Sequence, residues 1–225
     1  MLERLELAVA RERSFVADAS HELRTPLALL QAELELALRQ PRTQPELEEA
    51  VRSATAETER LVRLAEDLLV LAQADDGRLP LRRGPVRTDE LLGVVRDAFR
   101  PQADAAGRAI EAEADAIALD ADRLRLEQAL GNLVDNALRH GAGAIRLQAV
   151  EHDGRVELHV RDEGPGLPPD FLPHAFERFS RTDSARTGGG AGLGLALASS
   201  IAEAHGGTAQ AASSTSDIWL SIPKR

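Results

Sequence analysis

The first group of residues that could do chemistry is Ser20-His21-Glu22-Leu23-Arg24-Thr25-Pro26. His21 lies off a helical stripe of apolar side chains, so its imidazole is expected in solvent, where a second domain can reach it. Glu22 is expected close enough to hydrogen-bond one ring nitrogen, which would leave the other as a nucleophile. A histidine beside a glutamate is also common on a solvated helix face, so this stretch alone does not decide its role.

Further along the chain, two polar stretches have side chains suited to a nucleotide. Asn132, Asn136 and Arg139 are predicted to share one helix face. Amide oxygens suit Mg²⁺ when phosphates supply the negative charge, and the arginine could reach a phosphate. In the second stretch, Asp162 to Gly166, a carboxylate at a strand end can accept a hydrogen bond from an exocyclic amine. Its glycines let the backbone lie close to a flat base.

A third stretch, Gly188 to Leu195, is rich in glycine and leads into a predicted helix, whose N-terminal amides favour phosphate. Each of the three stretches also has a plainer interpretation, as a helix asparagine bonded to its backbone, a turn or a linker. Their order and their attachment to strand and helix ends favour a nucleotide site.

Two long helices are predicted to position His21. Residues 1 to 40 have the pattern of one helix, interrupted at most by Pro26, and Thr43-Gln44-Pro45-Glu46 is typical of a capping box opening a second helix. Two antiparallel helices cannot cover their apolar stripes alone, so residues 1–74 are predicted to form a homodimeric four-helix bundle. The stripes comprise Phe15, Ala19, Leu23, Leu27, Leu30, Leu34 and Leu38, then Leu47, Val51, Ala54, Thr58, Leu61, Ala65, Leu68 and Ala72, with Val62 and Leu69.

The second half of the chain is predicted to be an α/β sandwich with a sheet covered mainly on one side, which gives an α+β protein overall. Residues 75–87 are expected to be a linker, and residues 88–225 a domain. Three helices are predicted. The first begins at a Thr88 cap and reaches about Arg100, the second begins at an Asp120 cap and ends near His140-Gly141, and the third opens at Gly192. The predicted strands are 109–113, 116–119, 144–150, 155–161, 208–212 and 218–222, with Asp153-Gly154 as a hairpin turn.

Composition limits the function classes. The net charge is −10 and the sequence has no cluster of basic residues, so no nucleic-acid partner is expected. The chain has no cysteine, which excludes disulfides and thiolate zinc sites. We find no apolar run of about 18 residues and no signal peptide. The apolar pattern is already under way at Leu2, so the first helix is expected to continue a longer one.

Together the motifs resemble the cytoplasmic catalytic portion of a bacterial sensor histidine kinase. The matching stretches are His21 to Pro26 (phosphoacceptor box), Asn132 to Ala137 (N box), Asp162 to Gly166 (first glycine box), Phe176-Glu177-Arg178-Phe179 (F box) and Gly190 to Leu195 (second glycine box). The resemblance implies that 1–74 is the dimerisation and histidine phosphotransfer domain. It also implies that 88–225 is an ATP-binding catalytic domain of the Bergerat type.

The resemblance implies a role for each motif residue. His21 would be the phosphorylated nucleophile, Glu22 its base, and Thr25 would help position water when the protein dephosphorylates its partner. Asn136 with Asn132 would hold Mg²⁺, and Asp162 would recognise the adenine amino group. The other implied nucleotide contacts are Arg139 and Arg181 for phosphates, His140 where the family commonly has an adenine-stacking aromatic, Gly164 and Gly166, and Gly190, Gly192, Leu193, Gly194 and Leu195.

The implied cofactors are ATP and Mg²⁺, and the implied partner is the receiver domain of a response regulator. Residues 180–191 would be a mobile lid over ATP. The chain is expected to be the cytoplasmic portion of a membrane sensor, attached through segments outside this chain. Whether phosphate moves within or between subunits depends on the hairpin loop around residues 40–45.

Two alternatives stay open. The related ATPases that include gyrase, MutL and the heat-shock 90 chaperones have a glutamate base four residues before the metal-binding asparagine, where this chain has Asn132. A dimeric scaffold with a degenerate nucleotide domain is the other. No role is assigned to His152, His159, His174 and His205.

Overall fold

The computed structural model describes residues 2–39, 43–75, 77, 79–181, 191–213 and 215–224. The chain divides into two compact units, residues 1–69 and 70–225.

The first unit is a helical hairpin. Helix α1 spans Leu2–Arg39 with Pro26 inside it, and helix α2 spans Gln44–Asp75, with its last turn in the second unit. The Glu46 carboxylate accepts hydrogen bonds from the backbone N–H and the hydroxyl of Thr43, at 2.7 and 2.8 Å, which confirms the predicted capping box. The Ser53 hydroxyl donates to Glu33 Oε2 at 3.1 Å and ties the helices together.

The hairpin buries few side chains. Among the hairpin side chains that the structure describes, at 15–39 and 43–69, Pro26, Ala50, Leu64 and Leu68 are buried, whereas most of the long apolar ones are in solvent. The exposed members of the predicted stripes include Leu27, Leu34, Leu38, Leu47, Val51, Val62 and Leu69. Long contiguous apolar stripes are rarely left in water, so this surface is typical of one that packs against another chain.

The second unit is built on a mixed sheet. Its strands are β1 (Gly84–Arg87), β2 (Ile110–Ala114), β3 (Ala118–Ala121), β4 (Ile145–His152), β5 (Arg155–Arg161), β6 (Thr208–Ala211) and β7 (Asp217–Pro223). Five of them pair in the order β2-β4-β5-β7-β6, with β2 and β4 parallel and the others antiparallel. Asp153 and Gly154 both have positive φ between β4 and β5, which confirms the predicted hairpin turn.

Three helices cover one face of this sheet. They are α3 (Thr88–Ala105), α4 (Arg123–His140) and α5 (Gly194–Ala204), and α4 contacts both of the others. Alternate residues of β5 and β7, such as Leu158 and Leu220, are fully buried beneath them. The predicted α+β class with a sheet covered on one side is confirmed. Among the described helices, none is long and apolar enough to span a membrane.

The start and end of α3 differ from the prediction. Thr88 caps no helix, because its hydroxyl donates to the Asp115 carbonyl at 2.5 Å and accepts from Ile117 N–H at 3.1 Å. The helix also passes Pro101, where the sequence predicted its end, and it continues to Ala105 with Ala103 fully buried.

Three other boundaries also differ. Asp122, not Asp120, caps α4 by accepting from Arg125 N–H at 3.2 Å, because Asp120 is paired within β3. Helix α5 begins at Gly194, two residues after the predicted Gly192. The predicted linker contains β1, which pairs with β3 because Val86 is buried there.

His205, to which no role was assigned, ties two helices together at their ends. Its Nδ1 donates to the Ile201 carbonyl at 2.8 Å, and its Nε2 accepts from Asp122 N–H at 2.9 Å. Burial lowers the pKa of His205, so the ring stays neutral. Such a contact between distant segments leaves no local pattern in the sequence.

Candidate nucleotide-binding and phosphoacceptor sites

His21 lies on the exposed surface of α1, where the sequence predicted it. The Thr25 hydroxyl donates to the His21 carbonyl at 3.4 Å, so Thr25 lies one turn along the same face. No hydrogen bond joins His21 to Glu22 among the described residues, contrary to the expectation. Consecutive helical residues point about 100° apart, so the two side chains diverge in this conformation.

The N box lies on α4, beside the start of α5. The Asn132 amide donates to the Gln128 carbonyl at 3.0 Å, which leaves its oxygen available. A Cβ at Gly194 would lie 3.0 Å from that oxygen, so the first residue of α5 and Asn132 are neighbours. No hydrogen bond from a described residue reaches the half-buried Asn136 side chain, so its oxygen is also available to a ligand.

Asp162 follows β5, and hydrogen bonds hold its carboxylate on both oxygens. Oδ1 accepts from Gly164 N–H at 2.6 Å and Ala142 N–H at 3.1 Å, and Oδ2 accepts from the Ser216 hydroxyl at 2.6 Å. A Cβ at Gly141 or Gly164 would collide with this carboxylate. The sequence predicted Asp162 and Gly164, but it missed Gly141 and Ser216, which approach from other segments.

Gly166 ends the first glycine box with a φ of +73°. A Cβ there would lie 2.9 Å from the Thr215 carbonyl oxygen, so this loop runs directly beside the segment that enters β7. The close approach explains why the box needs a second glycine.

The second glycine box is only partly described. Gly190 lies outside the described residues, as do residues 182–189 of the predicted lid. Gly192 has a φ of +69°, and a Cβ there would lie 2.8 Å from the Ser180 carbonyl oxygen. Leu193 is buried and Leu195 half-buried, so both anchor the start of α5, and the N-cap residue, Leu193, makes no side-chain hydrogen bond to that helix.

Cationic groups lie near the end of α4. Arg139 Nε donates to Asp135 Oδ2 at 2.7 Å in an exposed ion pair, so contact with a phosphate would require Arg139 to leave that partner. Partial burial lowers the pKa of His140, and the Arg139 cation lowers it further against the effect of Asp135. The charge of Arg181 acts in the same direction on this pKa.

The F box contacts the last turn of α2 within the second unit. Arg178 forms an ion pair with Asp75 and donates to the Leu71 carbonyl at 3.4 Å. Phe179 has a φ of +58°, uncommon for a residue with a side chain, and lies against Gly192. The F box is therefore packed between the last turn of α2 and the second glycine box.

Family models match both halves of the chain. Residues 11–77 match the His Kinase A (phospho-acceptor) domain, and this match contains His21. Residues 121–225 match the domain described as the Histidine kinase-, DNA gyrase B-, and HSP90-like ATPase. The second match contains every nucleotide-site residue described above.

Individual relatives span both matches. Sensor histidine kinase CusS of Escherichia coli O157:H7 is 38% identical over 214 residues, covering 92% of this chain and 44% of CusS. The chain spans about half the length of the curated relatives it matches. Among solved structures, histidine kinase AdeS of Acinetobacter baumannii has a TM-score of 0.74 at 29% identity, covering 91% of this chain and 98% of AdeS.

Full-length ShkA, solved in complex with AMPPNP, has a TM-score of 0.70 at 30% identity, covering 94% of this chain and 45% of ShkA. These likenesses agree with the exposed histidine of the phosphoacceptor box and with the hydrogen-bonded carboxylate of Asp162. The chain belongs to the sensor histidine kinases of bacterial two-component systems.

Proposed function

We propose that this chain transfers the γ-phosphoryl group of ATP to His21 and then to an aspartate of a response-regulator receiver domain. The observation that carries the proposal is the combination, in one chain, of an exposed histidine and a site in which Asn132 precedes Asn136 by four residues. An amide at position 132 is a poor base for water. Transfer to the histidine is therefore favoured over the hydrolysis carried out by the related ATPases.

Asp162 recognises the base. Its carboxylate is an acceptor fixed by two backbone amides and a hydroxyl, and the exocyclic amine of adenine is a donor of matching polarity. The AMPPNP in ShkA supports an adenine nucleotide here. Gly164 and Gly166 let the backbone lie against the base, and His140 lies at the edge where the family commonly has a stacking aromatic ring.

The start of α5 receives the phosphates. Uncapped N–H groups at a helix start favour anions, and Gly192 and Gly194 leave the space for close approach. Arg139 and Arg181 are the nearby cations that would contact phosphate oxygens. Gly190 completes the proposed set but lies outside the described residues.

Asn136, with Asn132, would hold Mg²⁺ between protein and phosphates. The residues fit the ion, because both amide oxygens are available and neutral ligands suit a metal whose charge the phosphates balance. When bound, the ion would neutralise charge that develops on the phosphates.

At His21, a ring nitrogen attacks the γ-phosphorus in line with the leaving ADP. A P–N bond forms, and the bond from phosphorus to the bridging oxygen breaks, with its electrons leaving on ADP. Glu22 takes the proton from the imidazole after a rotamer change brings its carboxylate to the ring. Thr25 helps position water when the same surface dephosphorylates the regulator.

The partners follow from the surfaces. Residues 1–74 form a homodimer, supported by the exposed leucines of both helices. Residues 88–225 bind ATP and follow the predicted linker at 75–87, whose last four residues form β1 of the second unit. The receiver domain docks where His21 is accessible. The chain acts as the cytoplasmic portion of a membrane sensor, which its likeness to curated sensor histidine kinases supports.

The test is incubation of the full chain with γ-labelled ATP and Mg²⁺, followed by acid or alkali treatment. Label that acid removes and alkali preserves is expected, because phosphoramidates on histidine are labile in acid. Steady phosphate release without label would favour the ATPase alternative, and the absence of both would favour the scaffold.

A further inference from the structure

Two adjacent residues at the start of β7 lie beside Asp162 and its neighbour in β5. Asp217 is paired with Arg161 in the strand register, and Ser216 is the residue just before β7. Neither Ser216 nor Asp217 belongs to any of the five sequence motifs.

On the face of the sheet that carries the Asp162 carboxylate, Ser216 makes two hydrogen bonds with Asp162. Its hydroxyl donates to Asp162 Oδ2 at 2.6 Å, and its carbonyl accepts from Asp162 N–H at 3.0 Å. Backbone amides already occupy Oδ1. Oδ2 is therefore the oxygen left for a base, and the serine hydroxyl determines the direction in which its remaining lone pair points.

On the other face of the sheet, Asp217 joins the two strands. It is buried, and it accepts from Arg161 Nε at 2.8 Å and from His159 Nδ1 at 3.0 Å. The His159 ring stacks on Trp219, the register partner of His159, with centroids 5.4 Å apart and planes 20° apart. This cluster locks β5 and β7 in register at the end from which Asp162 and Ser216 emerge.

Burial alone would raise the pKa of Asp217, but hydrogen bonds from His159 and Arg161 outweigh it and hold the pKa below its usual range. The carboxylate is therefore ionised, and both of its contacts are charge-assisted or polarised, which makes them stronger than neutral bonds.

We propose that Ser216 and Asp217 are positioning residues for base selection, Ser216 by aiming the Asp162 carboxylate and Asp217 by fixing the strand that carries Ser216. The inference rests on the proposed role of Asp162 as the acceptor for an exocyclic amine. A carboxylate held in this way accepts from the amine of adenine and repels the carbonyl that guanine has at the corresponding position.

The experiment compares Ser216→Ala, Ser216→Thr and Asp217→Asn with wild type in the full chain, with AMPPNP as the binding probe. Ser216→Ala is expected to weaken binding about tenfold, the usual effect of losing one hydrogen bond to a charged group. The KM for ATP in autophosphorylation should rise by a similar factor with kcat little changed, and the preference for ATP over GTP should fall. Ser216→Thr, which keeps the hydroxyl, should restore all three.

Asp217→Asn is expected to weaken AMPPNP binding about threefold to tenfold. Because both residues act on Asp162, the double variant Ser216→Ala with Asp217→Asn should lose less than the product of the single losses. The matched control is Glu151→Gln, which breaks a surface ion pair with Lys224 at the opposite end of β4 and should leave binding unchanged. Fluorescence of Trp219, the only tryptophan, reports whether each variant is folded.

Unchanged AMPPNP affinity in folded Ser216→Ala, or a fall in kcat with unchanged KM, would overturn the inference alone. A wild-type chain that binds no AMPPNP would overturn the proposed function, and the inference with it. If Asp217→Asn does not fold, the two Ser216 variants decide the outcome.

Discussion

His21 is exposed on the surface of a long helix, whereas Asp162 is held by hydrogen bonds on both of its oxygens inside a packed unit. Most of the long apolar side chains described in the hairpin, at 15–39 and 43–69, are in water, whereas the second unit buries alternate residues of β5 and β7 beneath three helices. A group that must be reached by two different domains has to be accessible, but a group that recognises a base has to be rigid. The two units therefore differ in what they provide: the hairpin presents an accessible side chain, and the second unit holds its side chain in a fixed position.

The largest loss is expected at Asn136, the residue proposed to hold Mg²⁺. Asn136→Ala should lower labelling of the chain about a thousandfold, in the upper range for a lost transition-state contact, although His21 is untouched. The measurement is the initial rate of incorporation from γ-labelled ATP in Mg²⁺. Gln102→Ala, an exposed change on α3, is the control, and an unchanged rate in Asn136→Ala would refute the role of Asn136.

The hairpin should fail separately from the nucleotide unit. Leu27→Glu combined with Leu34→Glu removes apolar side chains that each contribute about 2 kcal/mol when buried, so the dimer dissociation constant should rise at least a hundredfold. Sedimentation velocity measures the change, and AMPPNP affinity should stay the same. Leu124→Glu, at another exposed leucine, should leave the dimer intact, and a dimer that persists in the double variant would contradict the assignment.

The stability of the second unit is expected to depend on pH through His205, which is buried. His205 is neutral when folded, with its pKa lowered by burial, so the unfolded chain binds more protons below about pH 6.5. The free energy of unfolding should therefore be at its full value above that pH and fall as the pH drops through it, by at most about 1.4 kcal/mol per pH unit for this residue.

His205→Leu should flatten that slope and lower stability at pH 7 by about 1–3 kcal/mol, because Asp122 N–H loses its acceptor. Urea unfolding followed by Trp219 fluorescence measures both. His152→Gln, at an exposed histidine, should change neither, and a slope that persists in His205→Leu would show that other groups cause it.

The smallest effect is expected at the edge of the base site. His140→Tyr should tighten AMPPNP binding about threefold, since a larger ring at this position would stack better on adenine. Titration calorimetry with AMPPNP is the measurement. Weaker binding would mean that the charges acting on His140, from Arg139, Arg181 and Asp135, contribute more to nucleotide affinity than the size of the ring does.

The sequence predicted those parts of the molecule whose signals are local. The capping box at Thr43, the turn at Asp153-Gly154 and the glycines beside Asp162 depend on neighbours a few residues away, and the structure contains all three features. Contacts between distant segments were missed. Ser216 reaches Asp162 across 54 positions of sequence, and His205 reaches Asp122 across 83, and neither pairing leaves a periodic or compositional pattern.

Wrong boundaries have the same origin. The sequence predicted Asp120 as the cap of α4, but strand pairing places Asp120 opposite Pro85 within β3, and Asp122 caps the helix instead. The expected contact between His21 and Glu22 failed for a different reason, since adjacency along a helix does not put two side chains on one face.

His21, the only histidine in the sequence of the hairpin, is the residue on which the second unit is proposed to act. The most direct measurement is labelling of His21→Gln with γ-labelled ATP and Mg²⁺, alongside its affinity for AMPPNP. Complete loss of acid-labile label with unchanged AMPPNP binding is predicted. Acid-labile label that persists in His21→Gln would place the phosphoryl group on another residue and contradict the account.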